Sequence, residues 1–113
     1  MKGSTNAQPQ TMSNTTNCVQ IASDKYLCWG YVSMPSMATG TGSNVTVNLP
    51  VTAKSAGGYY PVVSRIDGSG WGWDTYSARV TNRTTTSFRI DCWNASGQTG
   101  SMDFSWIAVI TTA

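Results

Sequence analysis

The runs Arg79-Val80-Thr81-Asn82, Thr86-Ser87-Phe88-Arg89-Ile90-Asp91-Cys92-Trp93 and Ser101-Met102-Asp103-Phe104-Ser105-Trp106-Ile107-Ala108-Val109 decide the fold. Polarity alternates along each run, and short polar turns separate them. A period of two marks strands with a buried face. Phe88, Ile90 and Cys92 point inward; Ser87, Arg89, Asp91 and Trp93 point outward. Tyr76, Ala78 and Val80 share one face of the preceding strand, so Arg79 is expected to meet Asp91 as a solvated cross-strand pair. The last run differs. Phe104, Trp106, Ala108 and Ile110 lie on one face and Ile107 and Val109 on the other, so both faces need cover. The domain's own core covers one. Another subunit is expected to cover the other, and a homotrimer around a strand-lined axis is one closed solution.

Working back toward the N-terminus, Asn44-Val45-Thr46-Val47-Asn48-Leu49 alternates with Val45, Val47 and Leu49 inward. Tyr26-Leu27-Cys28-Trp29-Gly30-Tyr31-Val32-Ser33 is aromatic and β-branched, a strand signal. Met34 to Ser43, with Pro35, Gly40 and Gly42, reads as a loop. Tyr59 to Ile66 reads as a strand in which Pro61 calls for an edge or a bulge, and Asp67-Gly68-Ser69-Gly70 reads as a turn. No apolar spacing of three and four and no capping box signals a helix. The sum is an all-β chain, a small antiparallel β-sandwich of about six strands. Cys18-Val19-Gln20-Ile21-Ala22 opens that body, so the domain is 18–113. Residues 1–17 are Ser, Thr, Asn, Gln and Pro with almost nothing apolar. They read as a flexible arm or an anchor that orders on a partner.

Composition narrows the function. Only 11% of the 113 residues are charged, so the surface is made of Ser, Thr, Asn and Gly. A net charge of +2 with scattered basic residues gives no footprint for nucleic acid. No apolar run approaches the ~20 residues that cross a membrane as a helix, and the first residues lack the apolar core of a signal peptide. The chain has no His and no CxxC spacing among its 3 Cys, so no zinc site and no cofactor is expected. Its acids are Asp24, Asp67, Asp74, Asp91 and Asp103, with no Glu. Asp67 and Asp74 share a Gly-rich loop where Asp ordinarily serves turn geometry, so an enzyme is not expected.

The loop Asp67-Gly68-Ser69-Gly70-Trp71-Gly72-Trp73-Asp74 carries the first binding candidates. Two Trp flanked by Gly are hard to bury together, and an indole face stacks on the apolar face of a sugar ring. Trp71 and Trp73 would stack, and Asp74 or Asn94 would accept hydrogen bonds from sugar hydroxyls. Plugging the sandwich end or a subunit contact is the competing role for these Trp. Trp93, facing outward at a strand end, serves either role. Trp29 and Trp106 lie within strand patterns and are assigned to core or subunit packing, with Ile107 and Val109 in the subunit interface.

From Tyr26 to Val109 the chain resembles the H-type lectin fold of invertebrate agglutinins and the related tip domains of bacteriophage tail fibres. The residues that carry this are Leu49-Pro50 leading to Pro61-Val62-Val63, Ala78-Arg79 running to Phe88, then Cys92, Ser101-Met102 and Ser105-Trp106-Ile107. The resemblance implies a trimer of sandwiches with carbohydrate held in loops near subunit boundaries, and it places Trp93 and Asn94 in one such loop. It also implies a linked pair at Cys28 and Cys92. Thr75 stands where the agglutinins have a basic residue that grips the sugar, so their sugar preference does not carry over. The strand from Cys28 to Ser33 and the run from Val45 to Pro50 look like the opening of a fibre tip. The expectation is therefore a phage virion protein, made in the bacterial cytoplasm, that binds host cell-surface glycan as a trimer. Its 1–17 arm would dock on other virion proteins. The alternatives are a structural virion module without ligand, capsid-decorating or fibre-capping, and a secreted agglutinin.

Overall fold

The computed structural model describes residues 16–69 and 76–113. Among them seven strands form two antiparallel sheets and there is no helix. One sheet has the order β1-β2-β7-β4, from β1 (Thr16–Ala22), β2 (Lys25–Met37), β7 (Gly100–Thr111) and β4 (Val62–Ser69). The other has the order β3-β6-β5, from β3 (Thr41–Asn48), β6 (Ser87–Asn94) and β5 (Tyr76–Thr81). The chain is an all-β sandwich, one strand richer than the sequence predicts. The extra strand is β1, which begins at Thr16, inside the expected arm.

The core is the set of inward positions that alternation dictates. Cys28, Met34, Met102, Phe104, Trp106, Ala108 and Ile110 face Val47, Phe88, Ile90 and Cys92 from the opposite sheet. Phe88 on β6 meets Trp106 on β7 edge to face, with centroids 5.3 Å apart, so one aromatic pair joins the sheets. Tyr59 stands edge-on to Phe88 at 6.5 Å. Its hydroxyl reaches the carbonyls of Thr84 at 2.8 Å and Ser87 at 2.7 Å, which fastens the 50–60 segment to the turn before β6.

Several expectations are corrected. Trp106 does not sit in a subunit interface: at 2% exposure it is core, because it shares the inward parity of Phe104 and Ala108. Cys28 and Cys92 are not a linked pair on neighbouring strands, since β2 and β6 belong to different sheets and all three thiols are free. The expected loop from Met34 to Ser43 shrinks to 38–40. A register shift between Met34 and Met37 accommodates Pro35, so β2 continues to Met37, and both Met turn inward. Gly40 then makes the turn with φ +71°, a conformation that favours glycine, and its N–H donates to the Asn94 carbonyl at 2.8 Å. Asp67, Gly68 and Ser69 continue β4 and do not turn. That strand starts after Pro61 and occupies a sheet edge, where proline is tolerated.

Candidate functional site

The two outer faces of the sandwich are chemically opposite, and strand register shows how. On the four-stranded sheet, Val62 lies opposite Ile107, and Ile107 lies opposite Trp29. The adjoining row sets Val109 against Leu27 and Leu27 against Val19. These are outward positions. Trp29 is 37% exposed, Ile107 46%, Val109 47% and Val62 65%, and Tyr31 stands beside them, exposed. Together they form a row of aromatic and β-branched side chains across three strands, open to water. The expected interface residues Trp29, Ile107 and Val109 thus come together on this face, and Trp106 leaves the set.

The three-stranded sheet presents polar rows. Gly42, Trp93 and Ser77 align, then Asn44, Asp91 and Arg79, then Thr46, Arg89 and Thr81. All of these but Thr46 and Thr81 line a groove of about 550 Å³. Trp93 is 49% exposed and lies against β3: a Cβ on Gly42 would sit 3.0 Å from Cε3 of the indole and 3.1 Å from the Cys92 carbonyl. Gly42 therefore makes room for the ring to lie close to the backbone.

The charges at the centre of the groove are arranged differently from the sequence expectation. Arg79 is opposite Asp91 as predicted, but the Asp91 carboxylate is taken by Arg89, two residues away on the same face of β6. Arg89 Nε lies 2.8 Å from Oδ1, and Thr81 Oγ1 donates to Oδ2 at 3.0 Å. Burial by itself would raise the Asp91 pKa. The hydrogen bonds from Arg89 and Thr81, with the charges of Arg89 and Arg79, outweigh it and hold the carboxyl below its ordinary value. Asp91 is therefore an anion already neutralised within the sheet. Arg79 is exposed and forms no hydrogen bond or ion pair among the described residues; its charge acts on Asp91 through space.

Asn94 is corrected as a ligand contact. It is 0% exposed. Its Nδ2 donates to the carbonyls of Met37 at 3.0 Å and Gln98 at 2.9 Å, and its Oδ1 accepts from the Ser96 N–H at 2.9 Å and the Ser96 hydroxyl at 2.6 Å. Every hydrogen-bonding direction of the amide is used. The side chain ties the end of β2 to the β6–β7 turn beneath Trp93. Asn94→Ala is expected to cost roughly 2–4 kcal/mol, because it strands buried partners as well as losing its own bonds. A urea melt checks this, and an unchanged midpoint would contradict it.

Trp71, Trp73 and Asp74 lie outside the described residues, as do positions 1–15. Strand β5 starts at Tyr76, opposite Asn94, so the chain joins this sheet at its Trp93 end. Asn44 and Ser77 are groove residues that the sequence reading passed over. Their signal was the same outward parity that exposes Trp93. Among the described residues no group of three or more His, Cys, Asp or Glu is placed to hold a metal.

No family model and no curated protein sequence matches the chain. Among solved structures it is similar to an N-truncated R1-type pyocin tail fibre, at 12% identity over 81% of this chain and 84% of that one, with a TM-score of 0.46. It is also similar to a C-terminal portion of the R1 pyocin fibre of P. aeruginosa, at 13% identity over 81% of this chain and 27% of that one, with a TM-score of 0.42.

Proposed function

We propose that this chain is a fibre- or spike-tip domain of a phage virion that assembles as a homotrimer and binds host cell-surface carbohydrate. The observation that carries the reading is the opposition of its outer faces: an apolar sheet face that needs a partner, and behind it a polar groove floored by an exposed indole. Trp93 supplies the stacking surface. Arg79, Asn44 and Ser77 supply hydrogen-bonding groups around it, and the Arg89–Asp91 pair holds the middle of the groove rigid. Trp71, Trp73 and Asp74 belong to the proposal as further contacts from the segment that leads into β5. Each site binds weakly by itself, and three on one particle gain by multivalency. The chain acts as a binding module, without a cofactor and without catalysis. The residues that precede β1 join it to other virion proteins, and it is made in the host cytoplasm.

A structural virion module without ligand is the second reading, and the apolar face favours it, since that face serves a different virion protein as readily as a second copy. The three free thiols count against the agglutinin reading, which called for a Cys28–Cys92 bridge. A glycan array extended with host cell-wall polysaccharides separates the remaining two. The full chain is expected to bind a restricted set of glycans, and Trp93→Ala to lose roughly thirty-fold in affinity, as for a hot-spot aromatic of about 2 kcal/mol. A well-folded chain that binds no glycan would overturn the carbohydrate reading and favour the structural one.

A further inference from the structure

We propose that Cys18 and Cys28 are an oxidisable pair that closes to a disulfide across β1 and β2 and staples the first strand to the domain. The two residues are direct partners in the register, Cys18 opposite Cys28. Both are buried, Cys18 at 6% and Cys28 at 0% exposure, and the charge of Cys18 is felt at Cys28. Directly opposed residues of an antiparallel pair have Cα atoms about 4.5–5.5 Å apart, inside the range of about 4.4–6.8 Å that a disulfide spans. The pair is therefore within a disulfide's Cα reach, and closing the bond draws the two Cβ atoms slightly together. Cys92 lies in the other sheet, on β6.

The staple matters because of where β1 stands. It is an edge strand held by β2 alone, and it is where residues 1–15 enter the sandwich. A pull on those residues peels β1 from β2. A covalent link at the 18–28 pair stops the peeling at Cys18.

Burial raises the Cys18 thiol as well, but at 6% exposure on the edge strand, against 0% for Cys28, it is the thiol more open to an oxidant. Burial, and next the neighbouring Cys18, push the Cys28 thiol up to about 12, which leaves Cys28 to act second. With oxidised glutathione as the oxidant, the Cys18 thiolate attacks one glutathione sulfur, the S–S bond breaks, and one glutathione thiol leaves. Cys28 then gives up its proton and attacks the Cys18 sulfur, forming the protein disulfide and releasing the second glutathione. Two electrons pass from the protein thiols to the glutathione disulfide, and two protons end on the released glutathione.

The test treats the folded, reduced full chain with oxidised glutathione, then denatures it and alkylates the remaining thiols. Trypsin cuts after Lys25, Lys54 and Arg89, so the three Cys fall on three different peptides. The expected result is a linked pair carrying Cys18 and Cys28, alkylation of Cys92 only, and the same linked pair in Cys92→Ser. In the oxidised protein the amides of β1 are expected to exchange with solvent at least about tenfold more slowly. Alkylation of all three Cys, a persistent glutathione adduct, or a linkage that includes Cys92 would overturn the pairing. A formed bridge with unchanged β1 exchange would overturn the stapling.

Discussion

Phe88→Ala is expected to cost about 3–5 kcal/mol of stability. Phe88 is 0% exposed, meets Trp106 across the sandwich at 5.3 Å, and has Tyr59 against its edge at 6.5 Å. Removing the ring leaves a cavity bounded by two sheets whose strands cannot close on it without breaking register. It also takes the aromatic partner from Trp106, whose Nε1 has no hydrogen bond of its own. A small domain has about 5–15 kcal/mol in total, so the variant sits near the threshold of folding. Denaturant melts of wild type and variant at equal concentration measure the difference. A loss below about 1 kcal/mol would mean that Phe88 does not join the sheets as described.

Ile107→Lys is expected to leave the fold intact and reduce the assembly to single chains. Ile107 lies between Trp29 and Val62 in the middle of the apolar row, and its side chain points away from the core. Lysine at an exposed strand position costs the monomer little. In a trimer that buries this face, three unpaired ammonium groups would be desolvated, at several kcal/mol each. Light scattering is expected to fall from three copies of the 12.1 kDa chain to one, with unchanged circular dichroism. A wild-type protein that is monomeric, or a variant that stays trimeric, would remove this face from the assembly.

The parts of this structure legible in the sequence are those governed by strand parity. Alternation places Val47, Phe88, Ile90 and Cys92 inside, and Ile107 and Val109 outside, and the structure agrees. The same parity turns Asn94 inward, but only if β6 is carried one residue beyond Trp93. Ending the strand at Trp93 and reading Asn94 as a loop residue hides its burial. Pairing between strands is a different kind of information. The Cys18–Cys28 pairing follows from a short hairpin, but nothing local says that Cys92 is in another layer, because sheet order depends on contacts far apart in sequence. Pro35 misleads for a related reason: its missing N–H ends a regular strand, yet a register shift against β7 absorbs it. Arg89 takes Asp91 from Arg79 because both lie on the same face of one strand. A cross-strand rule alone does not weigh that competitor.

If one face assembles the particle and the opposite groove holds the glycan, substitutions on the two faces separate assembly from binding. The most direct measurement is retention on immobilised host cell-envelope polysaccharide of wild type, Trp93→Ala and Ile107→Lys, each with its mass in solution determined. The account predicts tight retention of a trimeric wild type and loss of retention by a Trp93→Ala protein that is still trimeric. It also predicts weak, fast-dissociating binding by a monomeric Ile107→Lys protein. Equal retention of all three would contradict it.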